Sequence, residues 1–347
     1  MKLKKFFAGV LAAAMMLTVG ATAAFAEGGN TITINGKNYS DAQTVTVHKT
    51  FKLVGTGTSA AETFTLVQDG DGTVTNGDAE SAPALGAITG ADFIAGAATS
   101  AGATADITIA LPEYSKTGVY EYTLKEVATN ATAGVTYFGN TIRLVVSVVN
   151  GENNTLRVAA VHTEGVGANG EKLSKSDTFT NTYTANTITV TKNVTGNLGD
   201  KTKDFKFTIN FEKAENEKAP TAITYTVDDV EHTVAFADGK ASVEFTLHDG
   251  QSLNFVNVPA GVKYTVTENN YTGTNDGYTT KVDGETALTT GEKTMTGVAA
   301  THTFENSKGA DIDTGVILDN APYIALLAIV AIGGVALMLN KRRRDEE

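Results

Sequence analysis

DTFTNTYTANTITVTKNV, residues 177–194, is the stretch on which the fold turns. Thr, Val and Ile recur through it with the period of two that marks a β-strand. It reads as the last strand of one domain running, almost without a linker, into the first strand of the next. Each side carries one polar residue on an otherwise apolar face. Asn181 shares its face with Phe179 and Tyr183, and Lys192 shares its face with Ile188, Val190 and Val194.

Outward from this seam, the chain contains three short patterns twice and in the same order. TVTVHKTF ending at Phe51, GVYEYTLKE ending at Glu126 and DTFTN ending at Asn181 are followed by TITVTKNV ending at Val194, GVKYTVTE ending at Glu268 and THTFEN ending at Asn306. The separation from Lys49 to Glu126 nearly equals that from Lys192 to Glu268, as two related domains require. Short alternating strands punctuated by turn residues fill both halves and make the chain all-β. They are expected at Thr44 to Leu53, Tyr120 to Glu126, Thr141 to Val149 and Thr155 to His162, then at Thr187 to Val194, Phe205 to Phe211, Val234 to Phe236, Ala241 to Leu247, Val262 to Glu268 and Thr301 to Glu305. Asn150-Gly151 and Asp238-Gly239 fit turns. The Gly- and Ala-rich segment Leu85 to Thr104 has no steady period and reads as a long, mobile surface loop.

The ends of the chain give its address. Lys2, Lys4 and Lys5, an apolar run, and Ala24-Phe25-Ala26 before Glu27 form a cleavable secretory signal over residues 1–26. Ala321 to Leu339 is an almost uninterrupted apolar run, long enough as a transmembrane helix to cross a bilayer core of about 30 Å. The basic residues from Lys341 to Arg344 hold the tail in the cytoplasm. The expected organisation is signal 1–26, a first domain 27–184, a second domain 185–310, and a tail segment 311–347. The net charge of −12 disfavours nucleic acid, and the absence of cysteine denies this exported chain the disulfides of extracellular domains. Some other stabiliser is called for.

Alternation supplies one. Lys49 falls on the face of Val45, Val47 and Phe51, and Glu126 on the face of Tyr122 and Leu124, while Glu268 lies with Val262, Tyr264 and Val266 and Asn306 with Phe304. Burial drives lysine and glutamate toward their neutral forms. A neutral ε-amine is a nucleophile, and a protonated carboxyl beside an amide polarises its carbonyl. Held together in a dry core, Lys49 with Asn181 and Lys192 with Asn306 are each expected to form an isopeptide bond with loss of ammonia, promoted by Glu126 and Glu268. Read singly, each of these residues would be a snorkelling lysine, an ion-paired glutamate or a turn-capping asparagine. Two ordered trios on apolar faces favour the bonds.

No turnover enzyme, cofactor or metal site is read. The five histidines have no zinc spacing. Asp69, Asp71, Asn76 and Asp78 crowd one loop, but Thr73 breaks the usual calcium-loop pattern, so a solvated hairpin is the better reading.

The trios and the tail together resemble the FctA-type backbone pilins of Gram-positive bacteria, sortase-assembled subunits that contain isopeptide bonds. The resemblance implies two tandem immunoglobulin-like β-sandwich domains, each tied between its first and last strands. It places a sorting signal at Asp311-Ile312-Asp313-Thr314-Gly315, with sortase cleavage between Thr314 and Gly315. The inter-subunit acceptor it implies is Lys175, with Lys172 in reserve. The implied partners are sortase, identical pilin subunits, minor pilins, peptidoglycan, and the membrane before sorting; the implied location is a wall-anchored pilus shaft on the cell surface. The competing reading is an adhesin, displayed singly on the wall or at a pilus tip.

Overall fold

A computed structural model of the chain describes residues 31–34, 37–127, 131–151, 155–167, 169–310, 326–327 and 329–330. The signal 1–26, Thr314 and Gly315 lie outside these residues, as does all of the 321–339 run except Leu326, Leu327, Ile329 and Val330. Among the described residues, no helix is long and apolar enough to cross a membrane.

The seam is a single strand, Thr178–Thr195, of 18 residues. Phe179, Asn181, Tyr183 and Ala185 are buried in its first half and Ile188, Val190, Lys192 and Val194 in its second. The inward positions thus change from odd to even across Asn186 and Thr187. In a strand, that change of phase is a change of face. One uninterrupted backbone therefore serves two cores by turning opposite sides to them, and no linker is needed.

Around the first half, Thr44–Gly55 pairs in parallel with residues 178–185 and antiparallel with Ala103–Ala110. The facing sheet contains Gly118–Glu126, Thr141–Asn150 and Leu156–Val166, with Lys172–Lys175 at its edge. Val47, Phe51, Ile107, Tyr122, Leu124 and Leu144 fill the space between them. Around the second half, Ala300–Ser307 pairs in parallel with residues 188–195, and Ser252–Pro259 pairs antiparallel on the other side. There the facing sheet holds Lys240–Leu247, Phe205–Glu212 and Lys263–Glu268, over a core that includes Phe207, Phe211, Phe255, Val266 and Phe304. Each such side chain contributes about 1.5–3 kcal/mol by leaving water. A slip of one residue would expose a whole row of them, which fixes the register and so the facing of the polar residues among them.

Two local expectations are corrected. Leu85 to Thr104 is not a structureless loop: Ala91–Phe93 pairs with Glu62–Phe64, and Phe93 packs edge-on against Phe51 and Phe64. Small residues around it let the backbone lie close to the sheet, which hides the strand from a periodicity reading. Val234 to Phe236 is not a strand; the strand there is Val230–Thr233, the arm of a hairpin with Thr224–Val227.

Beside the change of face, Ser252–Pro259 carries an irregularity: Asn186 pairs with Val258 and Ile188 with Phe255. Asn257, in the extra length, takes a φ of 58° and turns its buried amide into the joint. Its Oδ1 accepts from Thr58 N–H and Tyr183 Oη–H, both at 3.0 Å, and its Nδ2 donates to Thr58 O and Ala222 O. A Cβ at Gly57 would collide with this side chain, so the approach requires glycine. Removing the amide leaves the buried Tyr183 hydroxyl and three part-buried backbone groups unpaired. Asn257→Ala should therefore cost about 2–4 kcal/mol by denaturant unfolding, whereas a loss below about 1 kcal/mol would contradict this account of the joint.

Candidate functional site

The two lysines, two glutamates and two asparagines come together as two trios, one in each core. In both, the lysine and the asparagine stand on neighbouring parallel strands with the same offset. Lys49 is opposite Phe179 and Asn181 lies two residues further on; Lys192 is opposite Phe304 and Asn306 lies two residues further on. That diagonal lets a long side chain on one strand reach a short one on the next. The glutamate enters from the facing sheet in each case.

In the first trio, Lys49 is 1% exposed and Asn181 0%. Lys49 Nζ lies 2.8 Å from Glu126 Oε1, yet it is not aligned for a hydrogen bond and has no hydrogen-bond partner. Asn181 Nδ2 donates to the same oxygen at 3.0 Å, so its carbonyl oxygen is turned away and is left unpaired. Phe138 N–H donates to Glu126 Oε2 at 2.7 Å. The rings of Phe64 and Phe138 sit 5.5 and 5.6 Å from the amine and exclude water.

The second trio is as dry. Lys192 Nζ stands 3.0 Å from Glu268 Oε1 and 4.3 Å from the Phe205 ring centroid, with Phe304 O at 3.5 Å. Asn306 Nδ2 donates to Glu268 Oε1 at 2.9 Å. Asn306 Oδ1 and Glu268 Oε2 are buried without partners.

Desolvation sets the protonation. Burial holds the Lys49 amine below its usual value, against the attraction of Glu126. It does the same to Lys192, against Glu268 foremost. Burial also raises the Glu268 carboxyl, opposed by Lys192 and by hydrogen bonds from Lys192 and Asn306. A proton passed from ammonium to carboxylate leaves a free amine pair of electrons close to an amide carbon.

The remaining sequence candidates lie apart from the trios. Lys172 and Lys175 are exposed on the edge strand Lys172–Lys175, with Lys175 opposite Glu164. The acidic loop spends its carboxylates locally: Asp69 pairs with Lys125 at 2.6 Å, and Asp78 accepts from Thr117 at 3.2 Å. Sequence periodicity gave no sign of the Phe138 N–H or of the ring of Phe205 over Lys192. Both are set by tertiary approach.

A pilin of Streptococcus pyogenes serotype M1 is 31% identical over 349 aligned positions, covering 94% of this chain and 98% of the relative. The chain belongs to the FctA-type pilin family. The family model described as a Spy0128-like isopeptide containing domain matches residues 45–184, and a domain of unknown function matches residues 186–308. The crystal structure of the major pilin from Streptococcus pyogenes superposes with a TM-score of 0.52 at 26% identity, covering 77% of this chain and 99% of that one. A shorter match, 40% identical over 81 residues, is to the pilus tip adhesin Cpa of Streptococcus pyogenes, of which it covers 11%. Pilins of this kind are structural subunits rather than turnover enzymes.

The lowered Lys192 amine fixes the sign of a pH effect. In Asn306→Ala, which keeps Lys192 and Glu268 but has no amide to attack, the unfolded chain binds more protons than the folded one between that lowered value and 10.5. Stability then rises with pH across this window. Melting temperature should climb more steeply as pH rises toward 10.5 in Asn306→Ala than in Asn306→Ala/Lys192→Met. Equal slopes would contradict the assignment.

Proposed function

We propose that this pilin is the shaft subunit of a covalently polymerised surface pilus, with each core closed by an autocatalytic Lys–Asn bond. One observation carries the reading: the same lysine–asparagine diagonal, with a glutamate contacting both members, occurs twice, each time shielded from solvent in a core. In each reaction the amine attacks the asparagine carboxamide carbon. The glutamate takes a proton from the attacking nitrogen and delivers it to the departing one. A secondary amide and ammonia result, so Lys49 becomes joined to Asn181 and Lys192 to Asn306.

The two family matches meet at residues 184 and 186, which supports domains 27–184 and 185–310 divided inside the seam strand. After export, sortase cleaves between Thr314 and Gly315 and joins Thr314 to Lys175 of the next subunit, with Lys172 as the alternative acceptor. The finished polymer is attached to peptidoglycan and carries minor pilins. Exposure of Lys175 on a sheet edge suits its attack on a bulky acyl-enzyme. Force entering there runs along the seam to Lys192, crosses to Asn306 and leaves toward Thr314. The backbone between Lys192 and Asn306 lies off that path, so it does not yield its length of about 3.4 Å per residue.

Intact mass of the secreted protein should fall short of the sequence mass by two molecules of ammonia, and Glu126→Ala or Glu268→Ala should each restore one. A full sequence mass in the unsubstituted protein would refute the internal bonds. Separately, wall extracts should give a ladder of covalent multimers that Lys175→Arg abolishes. A single anchored species in the unsubstituted strain would favour the adhesin reading, and a ladder lost only with Lys172→Arg would move the acceptor.

A further inference from the structure

The second trio has a neighbour that neither the bond chemistry above nor the family match uses. Thr280 is 1% exposed, and its Oγ1 is buried without a hydrogen-bond partner. It sits on the strand Thr279–Val282, where Thr280 and Val282 face inward and Thr279 and Lys281 face out. Across the antiparallel pair with Ala300–Ser307, Thr280 stands directly opposite Asn306. Directly opposed residues on one face have Cβ atoms about 4.5–5.5 Å apart. Three residues that each carry a buried, unpaired polar atom are therefore neighbours here: Thr280 with Oγ1, Asn306 opposite it with Oδ1, and Glu268, bonded to the Asn306 amide, with Oε2. Valine would fill the same space and leave no orphaned hydroxyl.

From this geometry we infer that Thr280 is the oxyanion donor of the second cross-link, its hydroxyl donating to Asn306 Oδ1 as that oxygen becomes negative. The inference rests on the proposed Lys192–Asn306 bond. Attack by the neutral Lys192 amine forms the Nζ–Cγ bond and moves the carbonyl electron pair onto Oδ1. Glu268 carries the proton from Nζ to Nδ2, the Cγ–Nδ2 bond breaks, ammonia leaves, and the carbonyl re-forms. Asn306 Nδ2 is engaged by Glu268, so Oδ1 depends on a different group while it bears charge. Catalytic hydrogen bonds are often long in the resting state and tighten as charge develops. The first site is built differently: Glu126 Oε2 is held by Phe138 N–H, and the orphaned atoms in that trio are Lys49 Nζ and Asn181 Oδ1. Among the described residues, the first core has no buried hydroxyl without a partner, so the donor is assigned to the second core.

The test follows both bonds in one sample. The full chain is made by cell-free synthesis and digested at intervals, and the branched peptides Lys49–Asn181 and Lys192–Asn306 are quantified by mass spectrometry. Thr280→Val should slow the second peptide by about tenfold or more, as loss of one oxyanion donor does, and leave the first unchanged. Thr280→Ser, which keeps the hydroxyl, should stay within about twofold of the unsubstituted rate. Equal rates for Val and Thr would overturn the inference, as would equal slowing by Val and Ser. If the Val variant does not fold, seen as rapid limited proteolysis of residues 186–308, Thr280→Ala against Thr280→Ser makes the same comparison. Absence of the second peptide from the unsubstituted chain would instead refute the cross-link itself.

Discussion

A lysine amine kept dry beside an asparagine amide is the constraint on which the rest of the molecule depends. In water the amine would be protonated and inert. Here each lysine is surrounded by aromatic rings, a glutamate and a carboxamide, and desolvation outweighs the glutamate's pull in setting its protonation. A buried ion pair alone is weak evidence for stability, because its desolvation cost rivals its attraction. Beside an amide, the same cost becomes a driving force toward neutral, reactive partners. In a chain without cysteine, that is a route to covalent closure that needs no oxidant.

The seam strand gives this chemistry its mechanical setting. Because Thr178–Thr195 is continuous, Asn181 and Lys192 belong to one extended backbone segment while serving separate cores. The switch of face at Asn186 and Thr187 makes this possible, and the Asn257 amide beside it fastens the two halves together. The pilin thus has no soft connector between its two trios. Its joint is a hydrogen-bonded strand flanked by paired neighbours on both sides.

Much of this was legible in the sequence because strand alternation is a strict rule. Counting by twos from Val45 places Lys49 inward, and counting back from Val194 does the same for Lys192. The repeated order of motifs then assigns the partners. What escaped was whatever depends on approach between distant segments. Ala91–Phe93 lies in Gly- and Ala-rich sequence without a period, and Val230–Thr233 is exposed on both faces. The seam looked like two abutting strands, since a change of phase in the sequence does not reveal that the backbone runs on. Thr280 lies in a short strand among threonines, and only pairing with Asn306 separates it from its neighbours.

The central claim is that these two trios are reacted, not merely adjacent. The direct measurement is a crystal structure of the secreted protein at a resolution that separates bonded from non-bonded atoms. The account predicts continuous density from Lys49 Nζ to Asn181 Cγ and from Lys192 Nζ to Asn306 Cγ, each at about 1.33 Å, the length of an amide C–N bond. Intact carboxamides with each amine at van der Waals distance would contradict it.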